Sequence, residues 1–197
     1  MPGAEGDAQH TAEAVARRSY GKLVAFLAAR TRDVAAAEDA LSEAFASALA
    51  EWPRTGPPDN PEAWLMTAAR RKLIDASRRR KTGAGAEPQL RLIAEELGAS
   101  EAMDIPDQRL ALMFACAHPA IEESVRAPLI LQVVLGLSAE TIASSFLTSP
   151  AAMSKRLVRA KEKIRQAGIP FEVPAREDLA ARLSAVLDAI YAAFTEG

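Results

Sequence analysis

Residues Ser149 to Gly168 read SPAAMSKRLVRAKEKIRQAG. Met153, Leu157, Ala160, Ile164 and Ala167 recur at gaps of four, three, four and three, which sets all five on one stripe of a helix. The other faces carry Lys155, Arg156, Arg159, Lys161, Lys163 and Arg165 against a single acid, Glu162. One buried stripe with a dense cationic remainder suits docking on a polyanion, and it equally suits a solvated basic face. The residues in front of it decide between the two.

Those residues are GLSAETIASSFLTS, Gly136 to Ser149. Gly136 can end the apolar helix before it, and Ser138 can cap the next one. Ile142, Ala143 and Phe146 give that short helix an apolar face. Ser149 can cap the basic helix, with Pro150 at its first position, where a missing N–H costs nothing. A short helix, a tight turn and a longer basic helix is the helix-turn-helix plan, whose second helix enters the major groove. Ala143 supplies the small side chain that two closely crossing helices need.

The rest of the 197 residues reads as all-helical. Val15, Leu23, Phe26 and Leu27 mark a first amphipathic helix behind a flexible leader, Met1 to about Gln9. Asp33 caps a second, to about Trp52, that bears Asp33, Glu38, Asp39, Glu43 and Glu51 and no basic residue. Its core stripe is Leu41, Phe45, Ala48, Leu49 and Trp52. PRTGPPDNP, Pro53 to Pro61, is a turn or loop. Asn60 caps and Pro61 opens a third helix, to about Lys81. Trp64, Leu65, Ala68, Leu73 and Ala76 line its inner face, and Arg70, Arg71, Lys72, Arg78, Arg79, Arg80 and Lys81 crowd the outside. Charge is thus sorted by element although the formal sum is −2, so any nucleic-acid binding must come from local patches.

Thr82-Gly83-Ala84-Gly85-Ala86 is the linker candidate, with a short helix over Leu90, Ile93, Ala94 and Leu97 beyond it. The region Glu87 to Glu123 is acidic. Leu110, Leu112, Met113, Phe114 and Ala117 are the inward residues of a helix started by Ile105-Pro106. Val125 to Leu135 is a buried helix, and Pro128 implies either a start close before it or a kink. Arg176 to about Phe194 is a last amphipathic helix, whose stripe of Leu179, Leu183, Val186, Leu187, Ile190, Tyr191 and Phe194 is too apolar to stay in water. The abrupt stop after it points to a trimmed chain or a shortened paralogue.

Enzyme classes find little support. Cys116 is the only cysteine and His10 and His118 the only histidines, which excludes an intramolecular disulfide and a cysteine-based metal cluster and argues against histidine-dependent catalysis. Convergent nucleophile–base sets and a phosphate-cradling glycine loop are missing, because Gly83-Ala84-Gly85 lacks flanking strand and helix signals. No cofactor is expected. A signal-peptide pattern and an apolar run of about 18 residues are also missing, so a cytoplasmic protein with no membrane attachment is expected.

The order of acidic helix, loop, Trp-bearing basic helix, linker and helix-turn-helix resembles an RNA polymerase sigma factor of the extracytoplasmic-function (ECF) group. AAAEDALSEAFASAL from Ala35 is similar to the stretch that binds the polymerase clamp helices; NPEAWLMTAARRKLIDASRRRK from Asn60 to the part that melts and reads the −10 element; and the segment Gly136 to Arg165 to the −35 reader. ACAHPAI, RLVRAKEKIRQAGIPFEVP and the final FTEG resemble the subgroup that carries a C-terminal extension of helical repeats, an extension this sequence does not include. The resemblance implies two small helical domains joined by a flexible linker, plus a C-terminal amphipathic helix: region 2 over 10–82, a linker over 83–103, region 4 over 104–168 and a tail over 169–197.

It also implies roles. Glu38, Asp39, Ser42 and Glu43 would dock core RNA polymerase. The loop Pro53 to Asn60 would hold a base flipped from the −10 strand, and Asn60, Arg70, Arg71, Lys72, Arg78 and Arg79 would contact the −10 DNA. Ser154, Lys155, Val158 and Arg159 would face −35 bases, with Ser149 and Arg156 on phosphates. Lys161, Lys163 and Arg165 are left as backbone contacts or solvated charge. An anti-sigma protein or the C-terminal extension would supply regulation. The sequence departs from the family's pattern at Leu147, which stands where the turn usually has glycine and implies a looser or differently wound turn. Ala40, Ala44 and Ala46 stand where larger apolar residues are common. Two other readings compete: a stand-alone helix-turn-helix regulator, which leaves the acidic helix and the Trp64 helix idle, and a helical adaptor that binds only protein.

Overall fold

Asp33 sets the first corner of the molecule. Its carboxylate accepts from the Ala36 N–H at 3.0 Å, as an N-cap should. The preceding helix ends on Arg32 in the left-handed conformation, φ 53°. The computed structural model describes residues 2–80 and 105–195, with side chains for 6–76 and 105–194. Eight helices, and no strand, occur among these residues: α1 (Pro2–Thr31), α2 (Val34–Thr55), α3 (Pro61–Arg80), α4 (Arg109–Cys116), α5 (Glu123–Leu135), α6 (Ala139–Ser145), α7 (Pro150–Gln166) and α8 (Arg176–Thr195). The expected linker, the helix over Leu90–Leu97 and the side chains of Arg78 and Arg79 lie outside the described residues.

The first three helices form one bundle. Leu23, Phe26 and Leu27 of α1 and Leu41, Ala48 and Trp52 of α2 are buried, with Leu65 and Leu73 of α3 closing the core. Trp52 and Trp64 meet edge to face, ring centroids 5.4 Å apart, so α2 and α3 share an aromatic joint. Glu62, in the first turn of α3, accepts from the Ser19 hydroxyl at 2.5 Å and pairs with Arg18 at 3.3 Å. Burial alone would raise the Glu62 carboxyl; the Ser19 hydrogen bond and the cations Lys22 and Arg18 outweigh it and hold it below its ordinary range.

Four expectations need correction. The leader is helical from Pro2, and Ala8 and Ala12 are buried because they continue the stripe of Val15 one and two turns back. α2 runs through Pro53 to Thr55. Proline removes one donor there, but the Gly56 N–H still reaches the Trp52 carbonyl at 2.8 Å and closes the last turn. Leu49 and Leu110, expected inside, are about half exposed, because α2 and α4 are each covered on a narrower arc than their apolar residues span. The α8 stripe is split: Ala185, Val186 and Ala189 are buried, while Leu187, Tyr191 and Phe194 face outward.

The α4–α8 half is built around α5, whose Val125, Leu129, Ile130, Leu131 and Val133 are nearly fully buried. α5 begins five residues ahead of Pro128 and contains it. α8 and α4 cover part of α5, and α1 covers more of it, so one continuous cluster of buried residues runs through both halves. Leu41 sits at the centre of the first bundle with no exposed surface. A Leu41→Ala chain is expected to lose about 2–5 kcal/mol of unfolding free energy, read by urea titration followed by circular dichroism.

Candidate nucleic-acid and partner-docking surfaces

The helix-turn-helix forms as its caps dictate. Gly136, φ 70°, ends α5. The Ser138 hydroxyl accepts from the Thr141 N–H at 3.1 Å and starts α6. Ile142 and Ala143 are buried, so the small residue does lie where α6 meets its neighbours. The turn is closed by two bonds, Leu147 N–H to Ser144 carbonyl at 3.3 Å and Thr148 N–H to Ala143 carbonyl at 3.0 Å. That is the pattern that usually places glycine in the left-handed position. Leu147 takes it with φ 50° and is 96% exposed. The turn is therefore wound as a glycine would wind it, with a strained, solvent-facing leucine in place of the expected looser geometry.

Ser149 caps α7, accepting from the Ala152 N–H at 3.3 Å, with Pro150 in the first turn. Met153, Leu157, Ala160 and Ile164 are buried as expected; Ala167 is instead the C-cap and exposed. With the stripe held inward, Ser154, Lys155, Val158 and Arg159 project together from the opposite side, all exposed. Three other cations of α7 are engaged within the protein. Arg156 pairs with Glu122 at 3.0 Å and donates to the Ser124 hydroxyl at the head of α5. Arg165 pairs with Glu162 at 2.5 Å. Lys161 reaches across to α2 and donates to Glu38 at 2.6 Å.

The acidic helix divides accordingly. Asp39, Ser42 and Glu43 are exposed, whereas Glu38 is only 8% exposed. Burial pushes the Glu38 carboxyl above its ordinary range, although Lys161 and the neighbouring Tyr20 hydroxyl pull it down. Glu43 pairs with Lys72 of α3 at 3.2 Å, so the outer faces of α2 and α3 adjoin. Arg71 is exposed beside them. It lines, with Trp64, Thr67, Ala68, Ala63 and Glu51, a cleft of about 460 Å³ between α3 and the end of α2. Asn60 stands at the rim of α3, its side-chain oxygen accepting from the Ala63 N–H at 3.0 Å. Arg70 is half-buried.

Sequence reasoning missed Lys161, Tyr20 and Gly21 as a group. A Cβ on Gly21 would lie 2.1 Å from the Val134 carbonyl oxygen, so α1 and α5 touch backbone to backbone. A glycine inside an amphipathic helix is the one available signal of such an approach.

Part of these surfaces lies in a segment similar to a known family. Residues 15–82 match the sigma-70 region 2 family. Over 171 residues the chain is 30% identical to a Xanthomonas campestris protein named "Probable RNA polymerase sigma factor RfaY", covering 78% of this chain and 41% of that one. Over 172 residues it is 42% identical to an uncharacterized protein of Rhizobium meliloti, covering 84% of this chain and 41% of that one. The chain is thus similar to RNA polymerase sigma factors, most directly over residues 15–82, and it spans about two fifths of the length of these curated relatives. No solved structure matches it. No helix among the described residues is long and apolar enough to cross a membrane.

The left-handed leucine is a point of local strain in the helix-turn-helix. Leu147→Gly is expected to stabilise the chain by about 0.5–1 kcal/mol, since relief of the left-handed penalty exceeds glycine's added chain entropy. A rise in thermal midpoint checks it.

Proposed function

We propose that this chain is an ECF-type sigma factor that binds core RNA polymerase and directs promoter-specific initiation through −10 and −35 elements. The observation that carries the reading is the succession of surfaces in one chain. An outward acidic face of α2 adjoins a basic face of α3 within the sigma-70 region 2 match, and a capped helix-turn-helix follows. A stand-alone helix-turn-helix regulator accounts for the last of these and not for the first two.

In this reading Asp39, Ser42, Glu43 and, when uncovered, Glu38 dock the polymerase. Arg70, Arg71 and Lys72, with Asn60, Arg78 and Arg79, hold the separated −10 strands by phosphate contact and stacking. The cleft beside Trp64 has the size and the aromatic wall to take an extruded base; extrusion costs a few kcal/mol, so a preformed receptor matters. Ser154, Lys155, Val158 and Arg159 read −35 base edges in the major groove, and Ser149 contacts phosphate. Arg156 reaches a phosphate by exchanging Glu122 for it. The work is binding and strand separation without covalent catalysis, and it is done in the cytoplasm. Membership of the subgroup with a C-terminal helical extension, and regulation by that extension or by an anti-sigma protein, complete the proposal. The outward Leu187, Tyr191 and Phe194 of α8 offer either one an apolar face.

Reconstituted transcription tests it: core polymerase should initiate at a cognate promoter only when this protein is added. Duplex DNA binding without core binding would favour the regulator instead. Arg159→Ala should lower promoter use about tenfold, the value of one arginine–guanine contact. On templates already altered in the −35 element the variant should match its parent, and an equal further loss there would refute the assignment. Replacing Asp39 and Glu43 together by Lys should weaken core binding about tenfold or more through like-charge repulsion, and an unchanged affinity in a titration would remove α2 from the interface.

A further inference from the structure

The last helix, α8, buries a charge that its surroundings leave unmatched. It packs on α5 and on α4. Arg182, on its inner face, is 8% exposed, and its Nε has no hydrogen-bond partner. No carboxylate among the described residues pairs with it, and Asp178, one turn earlier on the same helix, is exposed. A buried guanidinium without a counter-charge is costly, and such groups are normally neutralised by an anion.

The groups around Arg182 are cationic as well. ACAHPAI, a stretch to which neither DNA reading nor polymerase docking assigns a role, forms the turn between α4 and α5. In that turn the His118 Nδ1 accepts from the Ala120 N–H at 3.1 Å, which leaves the proton of the neutral ring on Nε2 as a donor for a ligand. Arg126 closes the same turn, donating from Nε to the Ile121 carbonyl at 3.0 Å and from Nη2 to the Pro119 carbonyl at 3.4 Å. The other N–H groups of its fork have no partner among the described residues. Burial, then the charges of Arg182 and Arg126, hold the His118 imidazole below its ordinary range, with Asp178 opposing them. Two guanidiniums thus lie around one ring. His118 and Arg126 are partly exposed and Arg182 is buried, so the place is open from the turn and cationic at its floor.

We propose that Arg182, Arg126 and His118 form a binding site for a divalent oxyanion, a phosphate or sulfate group that is free in solution or carried on a small molecule. Planar guanidinium forks match the oxygens of such a group in pairs. Two guanidiniums beside a ring that can take up a proton complement a double negative charge better than the single charge of a carboxylate. The bound anion ties α8 to the α4–α5 turn, because its ligands come from both. It thereby holds in place the helix that carries the outward Leu187, Tyr191 and Phe194. The proposal is independent of the sigma-factor reading, and its test needs neither polymerase nor promoter.

The test is an NMR titration of the full chain, which has only two imidazoles to resolve, His118 and the exposed His10 of α1. Sodium sulfate is compared with sodium chloride at equal ionic strength, since sulfate stays divalent across the histidine range. With sulfate the His118 midpoint should rise by about one pH unit, as an opposite charge brought close requires, while His10 stays where it was. By linkage, sulfate should bind about tenfold more tightly below that midpoint than above it. Arg182→Met keeps the apolar stem and removes the charge. Its His118 midpoint should start above the parent's and no longer respond to sulfate. Should circular dichroism show that Arg182→Met does not fold, Arg182→Lys keeps the charge without the fork and should weaken sulfate binding about tenfold. A nucleoside 5′-monophosphate that moves His118 at lower concentration than sulfate assigns the anion to a small organic molecule, and equal potency assigns it to a free ion. Chloride moving His118 as far as sulfate does is general screening and overturns the site. No movement with any anion also overturns it, one of the chain's own carboxylates then filling the place. A His118 response to duplex DNA but to no small anion gives the residues to a DNA backbone and overturns it as well.

Discussion

Gly21 allows two helix backbones to meet where any side chain would hold them apart, and the relation between the two halves follows from that contact. Once the Val134 carbonyl rests on α1, Tyr20 is pressed against Gly136, and the start of α6 is fixed relative to α1. α7, held to α6 by Ala143 and Ile142 and to α5 by its own apolar stripe, is then carried across α2. Lys161 arrives at Glu38 as a consequence. The ion pair selects the register and the backbone contact permits it, a division that suits an interface in which neither element alone is strongly stabilising.

The cap chemistry of the chain is local and was legible in the sequence. Asp33, Asn60, Ser138 and Ser149 each cap the helix assigned to them, and Gly136 ends α5 as its type suggests. Each of these depends on one side chain and a backbone amide three residues away, so a window of a few residues holds all the information. The misreadings fall where the deciding partner is distant. Leu49 and Leu110 match a core stripe in period, yet each is covered on one side only and stays about half exposed. Ala8 and Ala12 look like a featureless leader until the helix they extend is seen to continue. Pro53 reads as a stop signal, but a proline in a final turn forfeits one bond only.

The same distinction separates the candidate site residues. Ser154, Lys155, Val158 and Arg159 share an exposed face because the buried stripe opposite them fixes the rotation of α7, and the periodicity revealed that stripe. Asp39, Ser42 and Glu43 follow from α2 in the same way. Glu38 could not be separated from them by pattern: it differs only in having a lysine brought to it from 123 positions away. Leu147 was recognisable as an unusual residue for its turn, but whether the turn would loosen or the leucine strain was a matter of energy. Two turn-closing bonds and the burial of Ala143 outweigh a penalty of about 1–2 kcal/mol for one left-handed residue.

Counting charges along α7 overstates how basic its surface is. Of the six cations Lys155 to Arg165, Arg156, Lys161 and Arg165 are each matched by a carboxylate, leaving Lys155, Arg159 and Lys163 exposed with no carboxylate partner among the described residues. Each phosphate neutralised releases counterions and adds salt-sensitive affinity, so a helix with three outward cations gains about half the general attraction that six would give. With a net charge of −2 behind it, such a helix is poorly suited to non-specific adhesion. On the proposed function, its occupancy on DNA would come from base-edge contacts and from being held in place by a larger partner. Opening the Glu38–Lys161 pair frees one more cation on α7 and one more carboxylate on α2 in a single step. The cationic face of α7 and the acidic face of α2 are therefore tied to each other through one ion pair, each being smaller by one charge while the pair is closed.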